Sequence, residues 1–280
     1  MAGARQGYFS GNAMISEQTV ESARQWYDIG VAWLNKGATN LALSHLERAI
    51  SVFEEIEDLP ALTRARHDYL SGLLRLNRHE EVEARCDEAM RGYVELDDAA
   101  GQARLLALLA DSVARMGRLE RARVHLNLAA AIAGLRGDRK LLRSILEQQS
   151  RLLLEREAVE PAVQLLKRAE AIAEEESEEG EIARYRQERA QALLQLGERA
   201  EAIALLEDAQ SRYLRKGMVR EAVEPLQTLR ELYERNGLSE DRGRIDALIH
   251  LCGQRLIREN AAPIAGETSR TPRAGRRSGR

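Results

Sequence analysis

Residues Leu196 to Ala209, LGERAEAIALLEDA, are one copy of a pattern that returns along the chain every forty residues. Shifted back in forties, Ala202 falls on Ala162, Ala122, Val82 and Ala42, and Leu206 on Leu166, Leu126, Cys86 and Leu46. Ala209 falls on Ala169, Ala129, Ala89 and Ala49. Gly197 falls on Gly117 and Gly37, and forward on Gly237, with Glu157 and Asn77 in the two remaining slots. A fixed period held without an insertion confines the chain to a stack of similar units, each unable to bury its apolar face alone.

Each unit carries two helical patterns. The first, as in ARQWYDIGVAWLNKG (Ala23 to Gly37), puts Trp26, Ile29, Gly30 and Trp33 on one face at spacings of three, four and seven. Gly37 then suits the left-handed residue that ends a helix. The second, NLALSHLERAISVFEE, lines up Ala42, Leu46, Ala49 and Phe53. Its small residues let two helices approach closely. The joins EIEDLP, ELDDAAG and GLRGDRK offer acids that can cap the following helix, and Pro60 and Pro161 fall where first helical turns are expected. Pro225 is expected to delay or kink its helix.

These units resemble tetratricopeptide (TPR) repeats, with an aromatic, a small residue and an aromatic on helix A, then two small residues flanking a large apolar one on helix B. Trp26, Gly30, Trp33, Ala42, Leu46 and Ala49 show the pattern best. Forty residues imply longer helices than the usual repeat, as in kinesin light chains, cell-polarity adaptors and bacterial peptide-pheromone sensors. The resemblance implies an all-α fold, a right-handed α-solenoid of about six antiparallel helix pairs over residues 17–258. Departures occur at Arg66 and Leu70 in the second unit. In the sixth, Arg230 and Arg242 stand where small residues belong, while Ile245, Leu248, Ile249 and Cys252 form a shifted face suited to a terminal cap. Residues 1–16 are expected to be flexible, and 259–280, rich in Gly, Pro, Ser and Arg, a disordered tail.

Nothing in the chain has the form of a catalytic site. His45, His67, His79, His125 and His250 make no metal-ligand pattern, and no phosphate loop or nucleophile elbow occurs. Neither a catalytic residue, a metal nor a cofactor is expected. Cys86 and Cys252 read as buried apolar residues in a reducing compartment. The N-terminal residues lack the apolar core of a signal peptide, and no apolar run nears the roughly 18 residues that span a bilayer. A cytoplasmic protein is the expectation.

What the resemblance implies about function is a groove lined by the A helices that binds a peptide or protein segment. Its inward positions carry Arg24, Arg64, Arg104 and Arg184, interrupted by Ser144, together with Tyr27, His67, Asp111 and Gln187. Guanidinium groups bind carboxylates bidentately, so an acidic segment or a free C-terminal carboxylate is the matching ligand. A plainer reading pairs Arg24 with Asp28, Arg64 with Asp68 and Arg184 with Glu188, each four residues on, as helix-stabilising ion pairs. Only Arg104, followed by Leu108, lacks such an acid. The run EEESEEGE, Glu174 to Glu181, reads either as a solvated join or as a contact for a basic partner.

Three functional readings stand. The first is an adaptor or scaffold. The second is a regulator whose array changes curvature when a peptide binds. The third uses the arginines of the tail as a nucleic-acid or membrane anchor, although no interleaved aromatics point to specific nucleic-acid recognition. Leu248, Ile249, Leu251 and Leu256 also offer a homodimer face on the last helix pair.

Overall fold

The computed structural model describes residues 17–261, with the side chains of 259–261 left out. The expected flexible start, and the expected tail from residue 262 onward, lie outside the described residues. Twelve α-helices and no strand occur among them: α1 (Glu17–Asn35), α2 (Thr39–Glu55), α3 (Leu59–Arg75), α4 (His79–Glu95), α5 (Ala99–Arg115), α6 (Leu119–Arg136), α7 (Arg139–Leu154), α8 (Val159–Glu175), α9 (Glu179–Leu196), α10 (Arg199–Arg215), α11 (Val219–Arg235) and α12 (Ser239–Ala261).

The forty-residue period is itself two steps of twenty. A left-handed residue closes every helix from α1 to α11, at 37, 57, 77, 97, 117, 137, 157, 177, 197, 217 and 237. Six of these are glycine; Glu57, Asn77, Asp97, Glu157 and Ser177 adopt the same sign of φ, between 51° and 59°. In each turn the amide one residue later reaches back to a carbonyl five residues before it, as Ala38 N–H does to Trp33 O at 3.0 Å and Asp58 N–H to Phe53 O at 3.0 Å. This is the Schellman closure, which satisfies carbonyls that a helix end would otherwise orphan. The same closure leads into the next helix, so turns of two to four residues serve both inside a unit and between units. Where the turn joins two units, Asp58, Asp98 and Asp138 accept hydrogen bonds from the amides of Ala61, Gly101 and Leu141, capping α3, α5 and α7 as expected from the acidic joins.

The described residues form two compact units, divided between Ile172 and Ala173. In the first, each helix from α1 to α7 packs on the next, and α1, α3, α5 and α7 also touch one another in turn. The A helices therefore form a layer of their own beside the B helices. Ala42, Leu46, Ala49 and Phe53 on α2 are all at most 1% exposed, as are Ala122, Ala129 and Ala133 on α6, with Cys86 taking the leucine slot on α4. Small residues at the contacts are required: a Cβ on Gly92 would stand 2.1 Å from Thr63 Oγ1, so α4 can lie this close to α3 only without one. Ile29, expected on the buried face of α1, is instead 41% exposed, and Ala23 and Leu34 share the buried face with Gly30.

In the second unit α9, α10, α11 and α12 pack in sequence. Proline at 225 neither delays nor ends α11, which starts on the twenty-residue beat and runs through it with the ring buried. Arg230 and Arg242 escape burial by reaching Asp246, each at 3.6 Å, while Ile245 and Cys252 are buried in the shifted register of the last helix.

Candidate functional site

The inward positions of the first unit's A helices bring polar side chains from α1, α3 and α5 to one layer. Tyr27 on α1 donates its hydroxyl to Asp68 Oδ2 on α3 at 2.7 Å, and its ring meets Phe53 edge-on. Burial, then that hydrogen bond, hold the phenol protonated well above its ordinary range. His67 packs edge-on against Tyr93, ring centres 5.8 Å apart, and its Nδ1 is buried without a hydrogen-bond partner. Burial lowers its pKa, and Arg104 adds to the effect against the opposing pull of Asp68 and Asp98, so the imidazole is neutral at pH 7. Burial likewise raises the Tyr93 phenol to about 12, with Arg104 and Arg64 opposing.

The arginines differ from one another. Arg24 is exposed and makes no ion pair among the described residues, so the expected partnership with Asp28 does not form. Arg64 is also exposed, and its Nε donates to Pro60 O at 3.3 Å. Asp68, expected to pair with it, is committed to Tyr27. Arg104 has no acid four residues on but leans toward Asp98, at 3.8 Å. The first unit thus presents Arg24, Arg64 and a loosely held Arg104 beside a neutral histidine. Asp111 on α5 pairs with Arg115 at 3.1 Å. It also lines a cavity of about 40 Å³ with Gln148 and Arg151 of α7, far below the several hundred Å³ of cofactor pockets.

Arg184 and Gln187 belong to the second unit. Arg184 is engaged as the plainer reading expects, with Glu188 and Glu181 each at 2.7 Å, and its guanidinium lies 4.4 Å from the Tyr185 ring centre. Gln187 is half-buried on α9. The acidic run has internal partners too. Glu174 meets Arg186 at 2.8 Å, and Glu179 meets Arg212 at 2.5 Å. Both arginines converge on Asp208, at 2.5 and 2.6 Å.

Three contributors were not marked as groove residues by sequence, although Asp68 was read as a helix partner for Arg64. Asp68 enters as an acceptor for Tyr27, Tyr93 comes from the end of a B helix, and Asp98 doubles as a helix cap. The capping role was readable from the join; the reach toward Arg104 was not, since it depends on how α5 leaves its turn. Among the described residues no cluster of three His, Cys, Asp or Glu side chains could hold a metal ion, and no helix is long and apolar enough to cross a membrane.

No protein-family model matches the chain, and no curated protein matches it in sequence. Solved structures do match in fold. Apo RapI superposes with a TM-score of 0.60 at 13% identity, over 87% of this chain and 86% of that one. A Rap protein complexed with Competence and Sporulation Factor gives 0.59 at 16% identity, over 87% and 67%. TPR-like repeats of a putative kinesin light chain from Podospora anserina give 0.60 at 17%, over 73% and 100%. With the twelve helices and the inward layer already in place, these likenesses identify the chain, in fold, as a TPR-like helical-repeat protein.

Proposed function

We propose that the chain is a non-catalytic, cytoplasmic adaptor that binds an extended peptide or protein segment along the inward faces of α1, α3 and α5, and that the segment carries carboxylates. The observation behind this is the pairing pattern. Among the described residues Arg24 and Arg64 have no carboxylate partner and Arg104 has only a distant one, whereas Arg184, at the same inward position in the second unit, meets Glu181 and Glu188 at 2.7 Å each. Exposed guanidinium groups on a layer of packed helices can take a carboxylate bidentately, with little ordering cost on the receptor side. Two reduced, buried cysteines fit a reducing compartment. A Rap conjugation gene regulator of similar fold is solved in complex with the Phr* peptide.

The test is a fluorescence-anisotropy screen of acidic peptides, each with a free and with an amidated C-terminus. Arg64→Glu with Arg104→Glu should weaken the best binder by about 100-fold, as loss of charge-assisted bonds plus repulsion would. Arg184→Glu, where the arginine is already satisfied internally, should leave binding within about twofold. Equal loss in both variants, or none in either, would remove the inward layer of the first unit as the site.

A second reading, regulation by a change of curvature, draws on the likeness to the Rap protein in its complex. Small-angle scattering separates the two: an adaptor keeps its profile when the best peptide is added, and a regulator compacts. The arginine-rich residues near the end lie outside the described residues, and a truncation after Asn260 with a salt titration tests them as a nucleic-acid or membrane anchor.

A further inference from the structure

Every B helix of the first unit shows an outward face, and on α6 the exposed seam from Val124 to Leu135 is apolar. Val124, Leu128 and Leu135 are 57%, 52% and 89% exposed, and Ala131 between them is exposed as well. They recur at spacings of four, three and four, which is the seam of a two-helix packing surface. The equivalent exposed residues are Ser44, Arg48, Ser51 and Glu55 on α2, Ala84, Glu88, Arg91 and Glu95 on α4, and Gln164, Arg168, Ala171 and Glu175 on α8. From Val124 to Leu135 there is no charged residue, in a chain that is 31% charged. The buried face of α6, Ala122, Leu126, Ala129 and Ala133, points the other way, so the seam is not needed for packing within the unit.

Gly134 is a second, separate sign. It sits inside the last turns of α6, where glycine weakens a helix, and a Cβ there would meet nothing within 4 Å. Its absence therefore serves no contact within the chain, unlike that of Gly92. An exposed helical glycine beside an exposed alanine leaves room for another backbone.

We infer that a second copy of this chain covers the seam, with the two α6 helices antiparallel about a two-fold axis. The register follows from side-chain size. With Leu128 opposite the partner's Ala131, Val124 falls opposite the partner's Leu135, so each layer matches a large residue to a smaller one. The same register sets His125 over the partner's Gly134 and brings Arg121 to the end where the partner's Asp138 lies. The arrangement is isologous: every contact occurs twice, and at each end Arg121, which also pairs with Glu83 at 2.5 Å, approaches the partner's Asp138, while Arg123 and the partner's Arg136 flank the seam as like charges. A face without charges has no means to select an acidic or basic partner, but it matches itself. The contact is a single helix pair, below the size of a standard interface, so the dimer is weak and concentration-dependent.

Analytical ultracentrifugation of the full chain tests this from about 1 to about 200 µM, the range in which so small an interface titrates. The unsubstituted protein should pass from monomer to dimer. Leu128→Glu, at an exposed position, should keep its helicity and melting curve yet weaken association at least tenfold, because a buried unpaired carboxylate is costly. A second measurement fixes the register. Leu128→Cys mixed with Ala131→Cys should form oxidative cross-links faster than either variant alone. A monomer throughout overturns the inference, as does Leu128→Glu associating like the parent, or association lost only with Leu251→Glu on α12. Cross-linking of Leu128→Cys with itself at the mixed rate overturns the antiparallel register.

Discussion

At the scale of single residues, the turns carry an unequal load. Glu57, Asp97, Glu157 and Ser177 hold the left-handed φ that Gly37, Gly117 and Gly197 hold without strain. A Cβ in that region crowds the following carbonyl, whereas glycine loses only its greater freedom in the unfolded chain. Glu57→Gly and Glu157→Gly should each stabilise the fold by roughly 0.5–1 kcal/mol, read as a rise of about 1–3 °C in melting temperature. Gly117→Ala should cost about 1 kcal/mol for φ alone, since nothing lies within 4 Å of the added Cβ. His67 is the other residue with a measurable signature. Burial depresses its folded pKa, so the unfolded chain takes up its proton first as pH falls. The stability gained from keeping it neutral is present above about pH 6.5 and fades below it. Urea midpoints between about pH 5 and 7 should fall with acid in the parent and fall less in His67→Phe, which keeps the edge contact with Tyr93 but cannot titrate. Asp68, Asp98 and Arg104 remain in both, so the difference isolates the imidazole.

At the scale of elements, the small and large apolar positions of the B helices were legible, because Ala42, Leu46 and Ala49 and their copies repeat the same volumes at the same spacing. The twenty-residue beat was not. Glycine marks some turns only, and nothing about Glu57 or Ser177 announces φ > 0; the turn is imposed by the helices on either side. The arginine ladder was half legible for a similar reason. Spacing along one helix shows Arg64 near Asp68, but Tyr27, 41 residues before that carboxylate, competes for it and wins by a 2.7 Å bond in a partly buried place. The acidic run illustrates the same point in the second unit. Its members are tied by Arg186 and Arg212, whose side chains are only 18% and 17% exposed. Asp208, the carboxylate between them, has to overcome burial. The hydrogen bonds from Arg212 and Arg186 still pull its pKa below the ordinary value. A depressed carboxylate adds stability that is present above the unfolded pKa of about 3.9 and is lost as pH falls through the lower folded value. Asp208→Asn should therefore destabilise the protein at pH 7 by about 1–2 kcal/mol, since Glu174 and Glu179 still hold the two guanidinium groups, and should flatten acid unfolding between about pH 4 and 2.

At the scale of the whole molecule, each helix of the first unit packs only on the next one or two in sequence, so nothing in the unit's stability depends on distant chain. Modularity of this kind can be tested by removing one module. The turns at Glu57 and Asp97 have φ values of 56° and 51°, and each is followed by an aspartate that caps the next helix. Excising residues 59–98 joins Asp58 to Ala99, so Asp58 inherits the amide of Gly101 and α2 leads into α5 through an unchanged turn. The interface is less well matched than the turn, because α2 then meets Leu105 and Ala110 where it met Ala65 and Leu70. Stability should drop by a few kcal/mol, as for several imperfect core exchanges made together. The shortened chain should still unfold cooperatively, with helicity per residue unchanged and a urea m-value lower by roughly one-sixth, in proportion to the surface removed. It should also lose the acidic peptide, because Arg64, His67 and Asp68 leave with the module while Arg24 and Arg104 remain. A collapsed, non-cooperative product would mean that the units of the first body are not independent modules. A shortened chain that folds and binds the peptide at parental affinity would keep the modules but move the binding face away from α3.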